Sequence, residues 1–115
     1  MKLLMHVLKE NKKFGIDNRN IGYNDITEKL EEEFREVLGA INNYSTNKTL
    51  KNLKEVIAET FDLIQVCILI LWKSNTEAKQ LGNKNLVKET NIDHKDKLSS
   101  REWIFETGIE IDVKE

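Results

Sequence analysis

The sequence predicts an all-α protein, and two observations support that prediction. The 115 residues include no proline and only five glycines, and 33% of them are charged, a composition that favours helices over a turn-rich β fold. Residues 56–72 are hydrophobic except at Glu59, Thr60, Asp62 and Gln65. A helix that is apolar on nearly every side belongs in the middle of a bundle. We therefore expect a single domain built as an antiparallel four-helix bundle, with an extended C-terminal tail.

Each helix of this bundle is predicted from hydrophobic spacing and from the polar stretches between helices. The predicted helices cover residues 2–12, about 25–43, about 49–75 and about 85–102. Asp25 or Thr27 is expected to cap the second helix, because Glu28 follows Asp25 at the spacing of a capping box. Residues from 103 onward are predicted to form the tail.

Composition and charge make several classes of partner improbable. The formal net charge of −2 gives no general reason to expect nucleic acid or an acidic membrane surface as a partner. The uninterrupted apolar run at residues 66–72 is far shorter than the roughly 20 residues of a membrane span. The single cysteine, Cys67, rules out an intramolecular disulfide, and we expect it to be buried in a reducing compartment. We therefore expect a soluble, cytoplasmic protein.

Two pairs of acidic residues have the spacing that places both members on one side of a helix. Glu59 and Asp62 lie within the apolar run, where an unpaired carboxylate is costly to bury. Glu33 and Glu36 have the same spacing in the second predicted helix, where Glu33 falls inside the edge of the apolar stripe. The chain between the pairs is long enough for one helix to end and the next to return antiparallel. We therefore expect the four carboxylates to converge.

Four converging carboxylates without histidine or cysteine partners favour a hard cation with oxygen ligands, Mg²⁺ before Mn²⁺. Such an ion would keep waters that substrate phosphates displace, and would neutralise charge on polyphosphate oxygens. Two alternatives are open. Glu33 and Glu36 are also compatible with a solvated helix face, and Arg35, Lys51 or Lys54 could pair with the buried acids in structural salt bridges.

Three segments resemble the motifs of the MazG-like all-α nucleoside triphosphate pyrophosphohydrolases. The family signature is ExxE, a variable spacer and ExxD, which residues 33–36 (EFRE) and 59–62 (ETFD) match. Residues 94–103 (HKDKLSSREW) are similar to the later family segment H/N-x-x-K-L-x-x-R-G-W, with Glu102 where glycine is usual. The resemblance implies a single MazG-like domain with its core over about residues 25–103.

The resemblance also implies a fold and an activity. The fold is the four-helix bundle of the all-α nucleoside triphosphate pyrophosphatases, and the activity is Mg²⁺-dependent hydrolysis of a (d)NTP to (d)NMP and pyrophosphate. It implies that Glu33, Glu36, Glu59 and Asp62 are metal ligands. It further implies that Glu33, Glu36 and Glu59 are catalytic, one of these glutamates acting through water as general base. Proteins of this family assemble as homodimers or homotetramers with sites near subunit interfaces.

Basic residues near the C-terminus are candidates for binding the nucleotide substrate. Lys97 and Arg101 are four residues apart on one helix face and are suited to phosphate oxygens, which arginine can hold bidentately. His94 lies one turn before Lys97 and could contact phosphate or base. The alternative for Lys97 and Arg101 is a solvated cationic face that pairs with Asp96 or Glu102. For the whole chain, the alternatives are a non-catalytic helical interaction module and a nucleotide-sequestering protein of the same fold.

Overall fold

The computed structural model describes residues 1–114, and this part of the chain is predominantly helical. Its elements in chain order are β1 (Glu10–Asn11), β2 (Ile16–Asp17), α1 (Tyr23–Thr46), α2 (Leu50–Gln80) and α3 (Leu86–Ser100). β1 and β2 form an antiparallel pair in which Glu10 lies opposite Asp17. No helix among residues 1–114 combines the length and the apolar character that crossing a membrane requires. Residues 103–114 follow α3 without helix or strand, as predicted for the tail.

The two long helices form an antiparallel hairpin, α1–α2, which is the main body of the structure. Only residues 47–49 connect them, and the Thr49 side chain caps α2 by accepting a hydrogen bond from the backbone N–H of Asn52 at 3.1 Å. At the far end, the Tyr23 hydroxyl donates a hydrogen bond to Glu77, which joins the start of α1 to the end of α2. Both helices occur where hydrophobic spacing predicts them.

The helix boundaries differ from the predicted ones by one to five residues, most at the end of α2. α1 begins at Tyr23, and neither Asp25 nor Thr27 caps it, because the Thr27 hydroxyl donates to the Tyr23 carbonyl at 2.8 Å. α2 continues five residues beyond the predicted end and stops at a glycine with φ of 95°, Gly82. There the N–H of Asn83 reaches back to the carbonyl of Ala78 at 2.9 Å, the pattern of a Schellman cap.

The helix predicted over residues 2–12 is absent, so residues 1–114 contain three helices and not the four predicted. A helix this short is marginal in water without a packed partner. Here its carbonyls also bond elsewhere: Gln65 Nε2 donates to the His6 carbonyl at 2.7 Å, and Asn18 Nδ2 donates to the Leu8 carbonyl at 3.2 Å. The segment therefore lies extended against α2 and joins the β1–β2 hairpin.

The core of the α1–α2 hairpin is small. Its buried residues are Ile26, Ala40, Val66, Leu69 and Ala78. On α2, Ile57, Ile64 and Leu71 recur at seven-residue spacing and are 50%, 40% and 52% exposed. Cys67 lies between the last two and is exposed, so its predicted burial is wrong. The reason is that, within residues 1–114, α1 packs along only one side of α2. In a single chain α2 is therefore not at the centre of a bundle. We call residues 57, 64, 67 and 71 the α2 stripe.

Candidate functional site

The antiparallel hairpin brings the two predicted acidic pairs to the same height. Carboxylate oxygens of Glu33, Glu59 and Asp62 all lie within 4.8 Å of one another. The Glu36 carboxyl group lies close enough to Glu33 and Glu59 to raise the pKa of both. We call these four residues the acidic cluster. Its assembly follows from the i, i+3 spacing on each helix and from the short connection between the helices.

The acidic cluster is electrostatically crowded. Burial raises the pKa of Glu33, and the negative charges of Glu36 and Asp62 raise it further. The hydrogen bond with Glu36 raises the pKa of Glu59, with burial and the charges of Glu36 and Asp62 adding to it. Carboxylates held this close favour retaining a proton unless positive charge is brought between them.

No side chain within residues 1–114 forms an ion pair with the acidic cluster. Glu33 Oε2 and Glu59 Oε2 are each shielded from solvent and have no hydrogen-bond partner in this part of the chain. Arg35 pairs with Glu31 on the outer side of α1 at 2.5 Å, and within residues 1–114 neither Lys51 nor Lys54 forms an ion pair with the cluster. Shielded carboxylate oxygens without partners are what a hard cation with oxygen ligands would satisfy.

A cavity of about 230 Å³ lies beside the acidic cluster. Its lining divides into the acids Glu33 and Asp62, the apolar Leu8, Val66 and Leu69, and the polar Asn18, Lys29 and Gln65. Sequence reasoning missed this cavity. Lys29 lies one helical turn before Glu33, and that spacing was a usable signal. Asn18 comes from a polar connector with no periodic pattern, so nothing in the sequence distinguishes it from the other asparagines there.

The predicted substrate-binding residues are not part of this site within one chain. His94 and Lys97 lie on α3 and Arg101 is its C-cap residue. In the described structure α3 packs against α2 and not against α1. None of the three lines the cavity, and none is ion-paired with the acidic cluster within residues 1–114.

Part of the segment at residues 94–103 is explained by how α3 ends. The N–H of Glu102 bonds to the Ser99 carbonyl at 3.0 Å, and the N–H of Trp103 bonds to the Leu98 carbonyl at 3.2 Å, which is again a Schellman cap. Glu102 has φ of 66°, a conformation that favours glycine because glycine has no Cβ. A glycine at this position would adopt this conformation without strain.

Comparisons of the chain with protein-family models, with curated proteins and with solved structures found no match. What the molecule itself defines is a helical protein with four carboxylates gathered between two antiparallel helices. The cavity next to them carries both apolar and hydrogen-bonding groups. A function for the chain therefore has to be argued from that site.

Proposed function

We propose that the chain is a Mg²⁺-dependent nucleotide pyrophosphohydrolase of the cytoplasm, which cleaves a (d)NTP to (d)NMP and pyrophosphate. The observation that supports this most is the pair of shielded, partnerless oxygens on Glu33 and Glu59 beside a cavity. All candidate ligands are carboxylates, a donor set that suits Mg²⁺ and also Mn²⁺ and does not suit zinc. The ExxE and ExxD resemblance points to the same chemistry.

Each residue of the acidic cluster has a role in this proposal. Glu33, Glu36, Glu59 and Asp62 hold the cation, which when bound supplies positive charge to offset that on the phosphate oxygens. Water attacks phosphorus at the α–β bridge, the bridging P–O bond breaks, and pyrophosphate departs. One glutamate of the cluster accepts the proton of the attacking water.

A pyrophosphate-release assay over the standard ribo- and deoxynucleoside triphosphates tests the activity. We expect pyrophosphate release with Mg²⁺ for at least one nucleotide. In Asp62→Asn the rate of release should fall by about a hundredfold or more, because a residue that binds the metal directly matters more than the residues that orient it. Glu28→Gln is the matched control, since Glu28 is exposed on α1 and outside the cluster. Equal activity in wild type and Asp62→Asn would remove the acidic cluster from the reaction.

A second candidate, nucleotide sequestration without cleavage, is favoured by the position of α3. Lys97 and Arg101 lie outside the cavity of their own chain, so a single subunit lacks cationic side chains of α3 at the site. A sequestering protein would gain thermal stability from a nucleotide and Mg²⁺ and release no pyrophosphate. A non-catalytic interaction module would show neither response.

We also propose that the working form is a homodimer or homotetramer. A compact monomer of 13.4 kDa exposes about 6,500 Å² of surface, whereas this chain exposes 10100 Å². Extended terminal segments account for part of this excess. The excess is larger than the roughly 1,000–2,500 Å² that a subunit of an obligate dimer buries, so it leaves room for such an interface. Pairing two α1–α2 hairpins through the α2 stripe would complete a four-helix bundle.

Light scattering coupled to size-exclusion chromatography tests this assembly. Ile64→Lys places a charge in the middle of the α2 stripe, and we expect it to shift the chain toward monomer and to lower its melting temperature. Gln80→Lys is the control, because Gln80 is exposed at the end of α2 and outside the stripe. A wild-type monomer at micromolar concentration would contradict the proposed assembly.

A further inference from the structure

Both ends of the chain expose apolar side chains. Leu4 in the N-terminal segment (residues 1–13) is 81% exposed, and Ile109 and Ile111 in the C-terminal tail (residues 103–114) are 89% and 78% exposed. Single exposed apolar residues are ordinary, whereas contiguous exposed apolar surface marks a site of interaction. The two ends are therefore candidates for contact with another chain.

The backbone of both ends is largely free to form new hydrogen bonds. In the part of the chain that the structure describes, residues 104–114 take part in no backbone–backbone hydrogen bond. Residues 1–8 take part in none either, and only two of their carbonyls are used, by the side chains of Asn18 and Gln65. Extended segments with unpaired N–H and carbonyl groups are templates for pairing with another strand.

The end of the tail has the alternation of a strand with one apolar face. Ile109, Ile111 and Val113 alternate with Glu110 and Asp112. Successive side chains of an extended chain point to opposite sides, so these residues form one apolar and one acidic face. Such a strand is stabilised when its apolar face is covered and its backbone is paired. Residues 1–114 of one chain provide neither.

The two ends carry opposite charge. The tail contains three acids, Glu106, Glu110 and Asp112, and one lysine. The N-terminal segment contains one acid and four lysines, at positions 2, 9, 12 and 13. None of these four lysines forms an ion pair within residues 1–114. An acidic strand and a basic extended segment attract each other, whereas two tails or two N-terminal segments repel.

We infer that the tail of one subunit binds, as an extended strand, to the N-terminal segment of a second copy of this chain. No hydrogen bond or ion pair joins the two ends within residues 1–114 of one chain. An extended tail of this length spans up to about 40 Å. The molecule measures 50 × 45 × 26 Å, so the tail is long enough to reach a neighbouring subunit.

In a twofold pair, each subunit gives its own tail and receives that of its partner, so the same contact forms twice. The contact uses a different surface from the α2 stripe, and it does not depend on the proposed activity.

Cross-linking between two differently labelled chains tests this contact. Both chains carry Cys67→Ser. One is labelled with ¹⁵N and also carries Thr107→Cys in the tail, and the other carries His6→Cys. After the chains are mixed and have exchanged subunits, a short bismaleimide should join a labelled chain to an unlabelled one. Ser45→Cys in place of His6→Cys is the matched control and should give no cross-link, because Ser45 is exposed near the connected end of the α1–α2 hairpin.

Ile111→Asp tests whether the apolar face of the tail makes the contact. We expect this variant to raise the protein concentration needed for half-maximal cross-linking by at least about tenfold, because a buried isoleucine side chain is replaced by a charge. Glu110→Asp is the control, because it keeps the charge on the opposite face of the tail. Circular dichroism checks that the helices are intact in both variants.

Each other result overturns the inference. Absence of a cross-link between the mixed chains, or equal yields with His6→Cys and Ser45→Cys, would exclude a specific contact between subunits. A single chain that carries both Thr107→Cys and His6→Cys and cross-links within itself, as a monomer, would place the tail on its own subunit. Equal cross-linking of Ile111→Asp and the unsubstituted tail would show that the apolar face does not bind.

Discussion

The acidic cluster and the basic residues of α3 are both suggested by motifs, but the fold treats them differently. The acids of α1 and α2 meet because a three-residue connection forces the two helices to lie side by side. His94 and Lys97 lie on α3 and Arg101 caps it, and within residues 1–114 this helix packs against α2 and not against α1. Spacing within a helical hairpin thus determines a site directly. The position of a third helix depends on surfaces outside that hairpin, including those of a second subunit.

The largest expected effect concerns whether α3 contributes substrate-binding residues to the site of a neighbouring subunit. We expect Arg101→Ala to lower kcat/KM by about tenfold to a hundredfold, the usual loss of a hydrogen bond to a charged group. Its Mg²⁺-induced rise in melting temperature should equal that of the wild type, because Arg101 lies outside the acidic cluster.

Co-expression of Arg101→Ala with Glu59→Gln sharpens this comparison. If α3 acts across the interface, the mixed dimer has one intact site, and an even mixture should recover about a quarter of wild-type activity. Recovery is measured as pyrophosphate release against each variant alone. Activity no higher than that of the two variants separately would show that α3 does not act across an interface.

A smaller effect concerns how the stability of the metal-free protein depends on pH through the acidic cluster. The folded-state pKa of Glu59 lies above its ordinary value of 4.5, so the folded chain binds this proton more tightly than the unfolded chain does. The stability that this proton binding contributes is complete below the ordinary pKa and is lost as pH rises through the raised folded-state pKa.

In a chelator, Glu59→Gln should therefore gain stability relative to wild type as pH rises from about 4.5 to 7. Urea unfolding at several pH values measures the difference between the two proteins. Using the difference removes the contributions of groups elsewhere, such as Asp17, whose pKa is lowered to about 2 by its hydrogen bonds with Arg19. A difference that is constant with pH would contradict the crowding of the cluster.

The smallest expected effect concerns the end of α3. Glu102 has φ of 66°, so Glu102→Gly should raise the free energy of unfolding by up to about 1 kcal/mol. Urea unfolding measures this, with Glu106→Gly in the tail as the control. A loss of stability in Glu102→Gly would mean that this glutamate contributes contacts that outweigh the relief of its backbone.

Sequence patterns predicted the parts of the fold that depend on periodicity. Glu33 and Asp62 were placed on facing helices by the three-residue spacing within each acidic pair and by the length of chain between the pairs. The N-terminal segment was wrongly predicted to be helical, because its carbonyls accept hydrogen bonds from the side chains of Asn18, in the following connector, and of Gln65, far along the chain. Such distant hydrogen bonds leave no local pattern. The exposure of Cys67 was missed for a related reason. An apolar run does not reveal whether the residues that bury it belong to the same chain or to another subunit.

The most direct test of the central claim is the melting temperature of wild type and Glu59→Gln at neutral pH, with and without millimolar Mg²⁺. Wild type should rise by several degrees when Mg²⁺ is added, because the ion binds the folded chain only. Glu59→Gln should melt above wild type in chelator and should not respond to Mg²⁺. Absence of a Mg²⁺ response in wild type, or an equal response in both proteins, would contradict the account of the acidic cluster as a cation site.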